Sequence, residues 1–197
     1  MEIVKTSIEG LLIIQPKVFE DERGYFMESF KESFINDNFP DLKFIQDNES
    51  KSTYGVLRGL HFQKPPFEQT KLVRVIKGEV LDVAVDIRPC SQTYGKYESV
   101  ILSEQNKKQF LIPKGFAHGF VVLSKEAVFS YKVDNPYAPD YDSGIRYDDK
   151  FLNIDWKVRS NDLVISDKDK ELKSLKEIWI INNIRLALSV KNMLTYY

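Results

Sequence analysis

The stretch "KLVRVIKGEVLDVAVDI", residues 71–87, constrains the fold more than any other. Leu81, Val83, Val85 and Ile87 alternate with Asp82, Ala84 and Asp86. A period of two sends successive side chains to opposite faces, so an apolar row opposite a polar one predicts a half-buried strand. The Lys77-Gly78 pair between "VRVI" and "EVLDV" predicts a hairpin turn, with Gly78 free to take positive φ. Further strand-like runs are "YFMESF", "KFIQDN", "VLRGLHF", "YESVILS", "QFLIP", "GFVVLS" and "AVFSYKV". They are separated by the turn signals "DERG", "KPPF", "PKG" and "NPYAPD". Short strands recurring roughly every ten residues between Pro/Gly turns predict an all-β sandwich or barrel.

Helix is sparse. One short helix is expected over "KESFINDN" and a better one over residues 168–179, where Leu172, Leu175, Ile178 and Trp179 share a face after an Asp-rich start. The tail, "INNIRLALSVKNMLTYY", alternates Ile184, Leu186, Leu188 and Val190 like a strand and reads as an appended element. One domain over residues 1–178 with an extension over 179–197 is therefore expected.

A chain of 197 residues with 43% hydrophobic content can bury the core such a domain needs. Its 28 basic and 29 acidic residues are scattered, so no global field points to nucleic acid or an anionic membrane. The single cysteine, Cys90, leaves nothing to stabilise the fold oxidatively. The first ten residues lack a basic-then-apolar leader pattern, and "LLII" and "IWII" are too short to span a bilayer. The expectation is a soluble, cytoplasmic domain.

Chemistry concentrates around "VLRGLHFQ", residues 56–63, which holds one of only two histidines. His61 reads as a satisfied core residue, a metal ligand or a base. Gly59 invites a bulge or a close backbone approach between Arg58 and His61 and reads as room for a ligand, and an arginine inside a barrel needs an anion to pair with. A metal would require His61 and His118 to join a carboxylate, but the His-x-His pair common in metal-binding barrels is missing. His118, in "IPKGFAHGF", is either a rim residue making a structural hydrogen bond or a second polar group on the cavity of His61. By alternation Lys71 shares a face with Val73 and Val75, and Tyr131 with Phe129 and Val133. An inward lysine either snorkels to the barrel mouth or stabilises an anion, and an inward tyrosine is core unless its hydroxyl has work. Together, histidine, lysine and tyrosine suit proton transfer next to a carbonyl: a base, a cation for the enolate oxygen, and an acid on the opposite face.

Six segments in register carry a family resemblance: "VFEDERGYFMESF", "FIQDNESKSTYGVLRGLHFQ", "KLVRVIKGEVLDVAVDIR", "IPKGFAHGFVVLSKEA", "YKVDNPYAP" and "ISDKD". Over residues 1–176 the chain resembles the dTDP-4-dehydrorhamnose 3,5-epimerase family. The resemblance implies a cupin-type jelly roll, a homodimer, and no metal or organic cofactor. It implies epimerisation of dTDP-4-dehydro-6-deoxy-D-glucose at C3 and C5, on the way to dTDP-L-rhamnose. It also implies His61 as base, Asp169 as its orienting partner, Tyr131 as acid and Lys71 at the enolate oxygen. Arg58, His118 and Lys168 match sugar and diphosphate contacts. Gln46, Asp47 and Asn48 match the nucleotide side, and Tyr137 the aromatic that stacks on thymine. Arg23, Phe26 and Glu28 match residues that reach a neighbouring subunit's nucleotide. Asp142 stands where the family usually has glutamate, which puts one nucleotide or sugar contact in question. A single-carbon epimerase acting on another 4-keto deoxysugar nucleotide, a non-catalytic sugar-nucleotide binder and a metal-dependent oxygenase are the alternative readings.

Overall fold

The computed structural model describes residues 1–181. Its strands are β1 (Glu2–Lys5), β2 (Leu12–Gln15), β3 (Val18–Asp21), β4 (Gly24–Met27), β5 (Gln46–Thr53), β6 (Val56–Gln63) and β7 (Lys71–Lys77). They continue with β8 (Glu79–Asp86), β9 (Tyr97–Ser103), β10 (Gln109–Ile112), β11 (Phe116–Val122), β12 (Glu126–Val133), β13 (Asp142–Gly144) and β14 (Val164–Ile165). Helices α1 (Glu32–Asn38) and α2 (Asp167–Lys170) are short, and residues 175–181 form α3.

Two sheets face each other, with strand orders β1-β2-β10-β7-β12-β5 and β13-β6-β11-β8-β9, and β14 adds parallel to β6. This is the expected all-β jelly roll. The core between the sheets holds Val73, Val75 and Phe129 from one and Val80, Ala84, Phe116 and Phe120 from the other. A second core covers the outer face of the β6–β11–β8 sheet, where Leu81, Val83, Val85 and Ile87 pack under Ile145, Leu152, Trp156, Leu175 and Ile178. A smaller cluster around Ile14, Leu72 and Leu111 packs against Phe34 of α1 and the loop aromatics Phe39 and Phe44.

Two expectations for residues 71–87 are corrected. Strand β8 is not half-buried: from Val80 to Asp86 every residue is buried. Its apolar row faces the C-terminal segment, and its row of Val80, Asp82, Ala84 and Asp86 faces the space between the sheets. Nor do β7 and β8 form a hairpin, since β7 pairs with β10 and β12 while β8 pairs with β9 and β11. Gly78, at φ +81°, instead turns the chain from one sheet to the other.

The helix expected over 168–179 is broken. Ser166 caps α2, accepting from the Asp169 amide at 3.1 Å, and the chain then leaves the helix to bridge Ile145 at Lys173. Ser174 and Glu177 start α3 anew, the serine hydroxyl accepting from the Glu177 amide and the glutamate from the Ser174 amide. This reciprocal capping box stops one helix from running through the whole segment. Leu175 and Ile178 are buried as expected, whereas Trp179 is half-exposed. The tail from residue 182 onward, with its strand-like alternation, lies outside the described residues.

Candidate active site

The bulge expected at Gly59 sets the site. On β11, His118 lies opposite His61 and Phe120 opposite Arg58, so Gly59 and Leu60 of β6 stand against the single residue Gly119 of β11. Arg58 and His61 thereby both line one cavity, although they are three apart. Gly59 is not space for a ligand, as its position beside Arg58 suggests. A Cβ there would sit 2.5 Å from the Cα of Gly119, so the glycine lets two backbones meet, and its φ of +132° suits no other residue.

The cavity encloses about 560 Å³ and gathers Arg58, His61, Lys71, His118, Tyr131, Lys168 and Asp169. Phe120 and Phe129 stack at 4.2 Å on its apolar side, with the Tyr131 ring 6.1 Å from Phe129. Asp169 is brought from 108 residues further along the chain to sit 2.7 Å from His61 Nε2. Burial alone would push its carboxyl up. The hydrogen bond and charge of His61, the Gly59 amide and the Ser166 hydroxyl outweigh that and hold it below its ordinary value. An ionised carboxylate only accepts, so His61 Nε2 donates to it, and Nδ1 keeps the lone pair that a base needs.

Lys71 lies partly buried in the cavity. Burial pushes its pKa down to about 8, with Asp82 and Asp142 acting in the opposite direction. Burial likewise raises the Tyr131 hydroxyl, which the Arg58 charge partly offsets, so the phenol stays protonated at neutral pH. Arg58 is exposed at the cavity mouth and donates to Ser52 Oγ at 3.1 Å. The expectation of a buried arginine requiring an anion is therefore corrected: solvent reaches this guanidinium at the cavity mouth.

At the rim, Asp142 Oδ2 accepts from Lys168 Nζ at 2.5 Å and from the Tyr137 hydroxyl at 3.2 Å. The hydrogen bond to Asp142 raises the Lys168 pKa. Buried Gln63 holds the Tyr137 loop by donating to the Phe67 and Pro136 carbonyls and accepting from the Ala138 amide. Gln46 and Asp47 are exposed on β5, Asn48 accepts from Gln46, and Asp47 pairs with Lys132 at 2.7 Å. These three lie outside the cavity of His61. So do Arg23 and Phe26 of the β3–β4 ribbon, whose Phe26 is 66% exposed, and Glu28 just after it. Among the described residues, no three His, Cys, Asp or Glu side chains converge to hold a metal ion.

Asp82 and Gln63 escaped the sequence reading. Asp82 is fully buried, with both carboxylate oxygens 2.9 Å from His118 Nε2. Its signal was its place in the row of β8 that points between the sheets, legible only once both faces of that strand are taken as buried.

A family model described as dTDP-4-dehydrorhamnose 3,5-epimerase matches residues 5–177. The chain belongs to the dTDP-4-dehydrorhamnose 3,5-epimerase family. A relative of that name from Methanothermobacter thermautotrophicus is 53% identical over 88% of this chain and 94% of its own. The Escherichia coli K12 epimerase is 50% identical over 95% of this chain and 99% of its own, a match that necessarily runs past residue 178. Among solved structures, the Legionella pneumophila dTDP-6-deoxy-D-glucose-3,5-epimerase in complex with dTDP-4-keto-L-rhamnose superposes with a TM-score of 0.85 at 49% identity. It covers 89% of this chain and 93% of that one. Epimerases of this family are isomerases, and the cavity of His61 is the candidate active site.

Proposed function

We propose that the protein converts dTDP-4-dehydro-6-deoxy-D-glucose to dTDP-4-dehydro-L-rhamnose by inverting C3 and C5, in the route to dTDP-L-rhamnose. The observation that carries this reading is the His61–Asp169 pair, 2.7 Å apart in one cavity with Lys71 and Tyr131. C3 and C5 both flank the C4 ketone, so removing either proton places charge on the same oxygen. His61 Nδ1 takes the C–H proton, and Asp169 orients the ring and stabilises the imidazolium that forms. The Lys71 ammonium stabilises the enolate oxygen at C4. The Tyr131 hydroxyl, kept protonated by its surroundings, delivers a proton to the opposite face and is reprotonated from solvent, to which the His61 imidazolium returns the proton it took before the second carbon is inverted. Base, acid and cation suffice for this chemistry, so the reading assigns no cofactor and no metal.

In the same reading Arg58 and Lys168 hold the diphosphate, His118 the sugar, and Tyr137 stacks on thymine. Gln46, Asp47 and Asn48 contact the nucleotide. Asp142, one methylene shorter than the usual glutamate, braces Lys168. The enzyme acts as a homodimer in the cytoplasm, with Arg23, Phe26 and Glu28 completing the partner's nucleotide site. Residues 1–178 form the epimerase domain, and 179–197 extend it.

Incubation with the 4-keto sugar nucleotide in D2O, followed by NMR, tests the reading. Deuterium at both C3 and C5 with formation of the L-rhamno product is expected. Exchange at neither carbon would overturn it, and exchange at only one would assign a single-carbon epimerase.

A further inference from the structure

A second carboxylate–imidazole pair lies beside the first. His118 sits directly across from His61 in the β6–β11 register and across from Ala84 in β8, so the two imidazoles share one wall of the cavity. Asp82 lies behind it, fully buried, with both carboxylate oxygens 2.9 Å from His118 Nε2. A carboxylate can only accept, so Nε2 carries the hydrogen and donates it. Nδ1 keeps its lone pair, and the ring makes no other side-chain hydrogen bond among the described residues. Burial is the main influence on the ring and lowers its pKa. Asp82 opposes it, while Lys71 and His61 add to it, so His118 is neutral at neutral pH.

We propose that Asp82 is a positioning residue for substrate recognition: by fixing the His118 hydrogen on Nε2, it makes Nδ1 an acceptor for a sugar hydroxyl. A bare nitrogen cannot bond a phosphate oxygen or an enolate oxygen, which are acceptors themselves. His118 therefore reads a neutral O–H donor on the ring, and the cations Arg58, Lys71 and Lys168 are left for the negative charge. A deoxy sugar lacking that hydroxyl would leave the buried nitrogen unpaired, which makes the pair a specificity device. The choice of sugar as ligand rests on the epimerase reading above; the tautomer is a property of the free protein.

The chain contains two histidines, so protein labelled with 15N-histidine gives only two imidazole spin systems, and His61→Ala assigns them. The expected wild-type spectrum shows His118 with a protonated Nε2 and a bare Nδ1 between about pH 7 and 8. Asn at position 82 can present its amide hydrogens to the ring, moving the ring hydrogen to Nδ1 and turning the acceptor into a donor. Asp82→Asn is expected to switch the His118 tautomer and lower kcat/KM roughly tenfold or more while melting stays cooperative. Asn can also turn its Oδ1 to the ring and keep the hydrogen on Nε2, so Asp82→Leu, which offers no acceptor, is decisive: a folded Asp82→Leu protein with the tautomer unchanged would overturn the proposal. So would a hydrogen on Nδ1 in the wild type, a result that stands even if the variant does not fold. If the epimerase assay fails but the tautomer is as expected and switches, the substrate reading is at fault and the Asp82 device is not.

Discussion

In the proposed mechanism Lys71 meets two conflicting demands, because a cation that is to stabilise an enolate must be charged and the cavity around it disfavours charge. Its pKa of about 8 is the outcome, with Asp82 and Asp142 resisting the effect of burial. The proposed role needs the charged form, so kcat/KM is expected to fall as pH rises through about 8. Lys71→Arg, if active, should lose that alkaline limb, because guanidinium does not titrate there. Stability runs the other way. Between about 8 and the ordinary lysine value the unfolded chain binds more protons than the folded one, so this group adds stability as pH rises. Below that window its buried charge costs stability. Lys71→Met should therefore be inactive yet more stable at pH 7, by up to about 3 kcal/mol, less whatever solvent in the open cavity screens. Chemical denaturation at pH 7 and pH 10 checks the sign: the gain should shrink at the higher pH. For the proton-transfer pair, His61→Ala should abolish solvent deuterium exchange at both carbons. Tyr131→Phe should impair inversion more than proton loss, read from product and exchange in the same NMR samples. Lys71 and Tyr131 were legible because side-chain direction in a strand follows sequence parity, whereas His61 shares a cavity with Arg58 only through the bulge that breaks that parity. Asp169 was not legible from spacing, since 108 residues separate it from His61 and only the family resemblance connected them.

The β6 bulge depends on two glycines meeting across strands. A Cβ on Gly59 would meet Gly119 Cα at 2.5 Å and the His118 carbonyl at 2.9 Å, and its φ of +132° disfavours any side chain. Gly59→Ala is expected to destabilise the protein by about 2–4 kcal/mol and to displace the Asp169 contact made through the Gly59 amide. Differential scanning calorimetry and residual exchange activity would show both effects. The C-terminal segment has a comparable anchor in buried Asp149, which accepts from the amides of Phe151, Leu152 and Leu175. Asp149→Ala strands three donors, and a loss of about 2–4 kcal/mol is expected in denaturant titration. At this scale strand positions were readable from period and turn signals, while partners were not. The Lys77-Gly78 pair looks like a hairpin from within the sequence, yet the same residues turn a corner between sheets. Local chemistry fixes a turn, and the surfaces on either side decide which sheet each strand joins. The break between α2 and α3 was present in the sequence as "SLKE", a start signal that the apolar stripe over 168–179 obscured.

For the whole molecule, the layering follows from β8 being covered on both sides, by the facing sheet and by the C-terminal segment that also carries Lys168 and Asp169. One segment thus closes the second core and delivers a cavity wall, which ties site geometry to global folding. The β3–β4 ribbon is the opposite case. Phe19, Tyr25 and Phe26 are each more than half exposed, a concentration of aromatic surface that the chain's own cores do not use. If this ribbon completes the neighbour's site, each site of a C2 dimer draws His61 from one chain and Phe26 from the other. His61→Ala and Phe26→Asp homodimers should then both be weak or inactive. Mixing them in equal amounts after unfolding and refolding gives hybrids in which one site pairs the intact His61 of one chain with the intact Phe26 of the other. About half the dimers are hybrids and each has one intact site, so activity should return to about a quarter of wild type. If Phe26 instead serves its own chain, every hybrid site carries one defect or the other, and mixing restores nothing. Sedimentation velocity on the same mixture separates this outcome from a failure to form dimers.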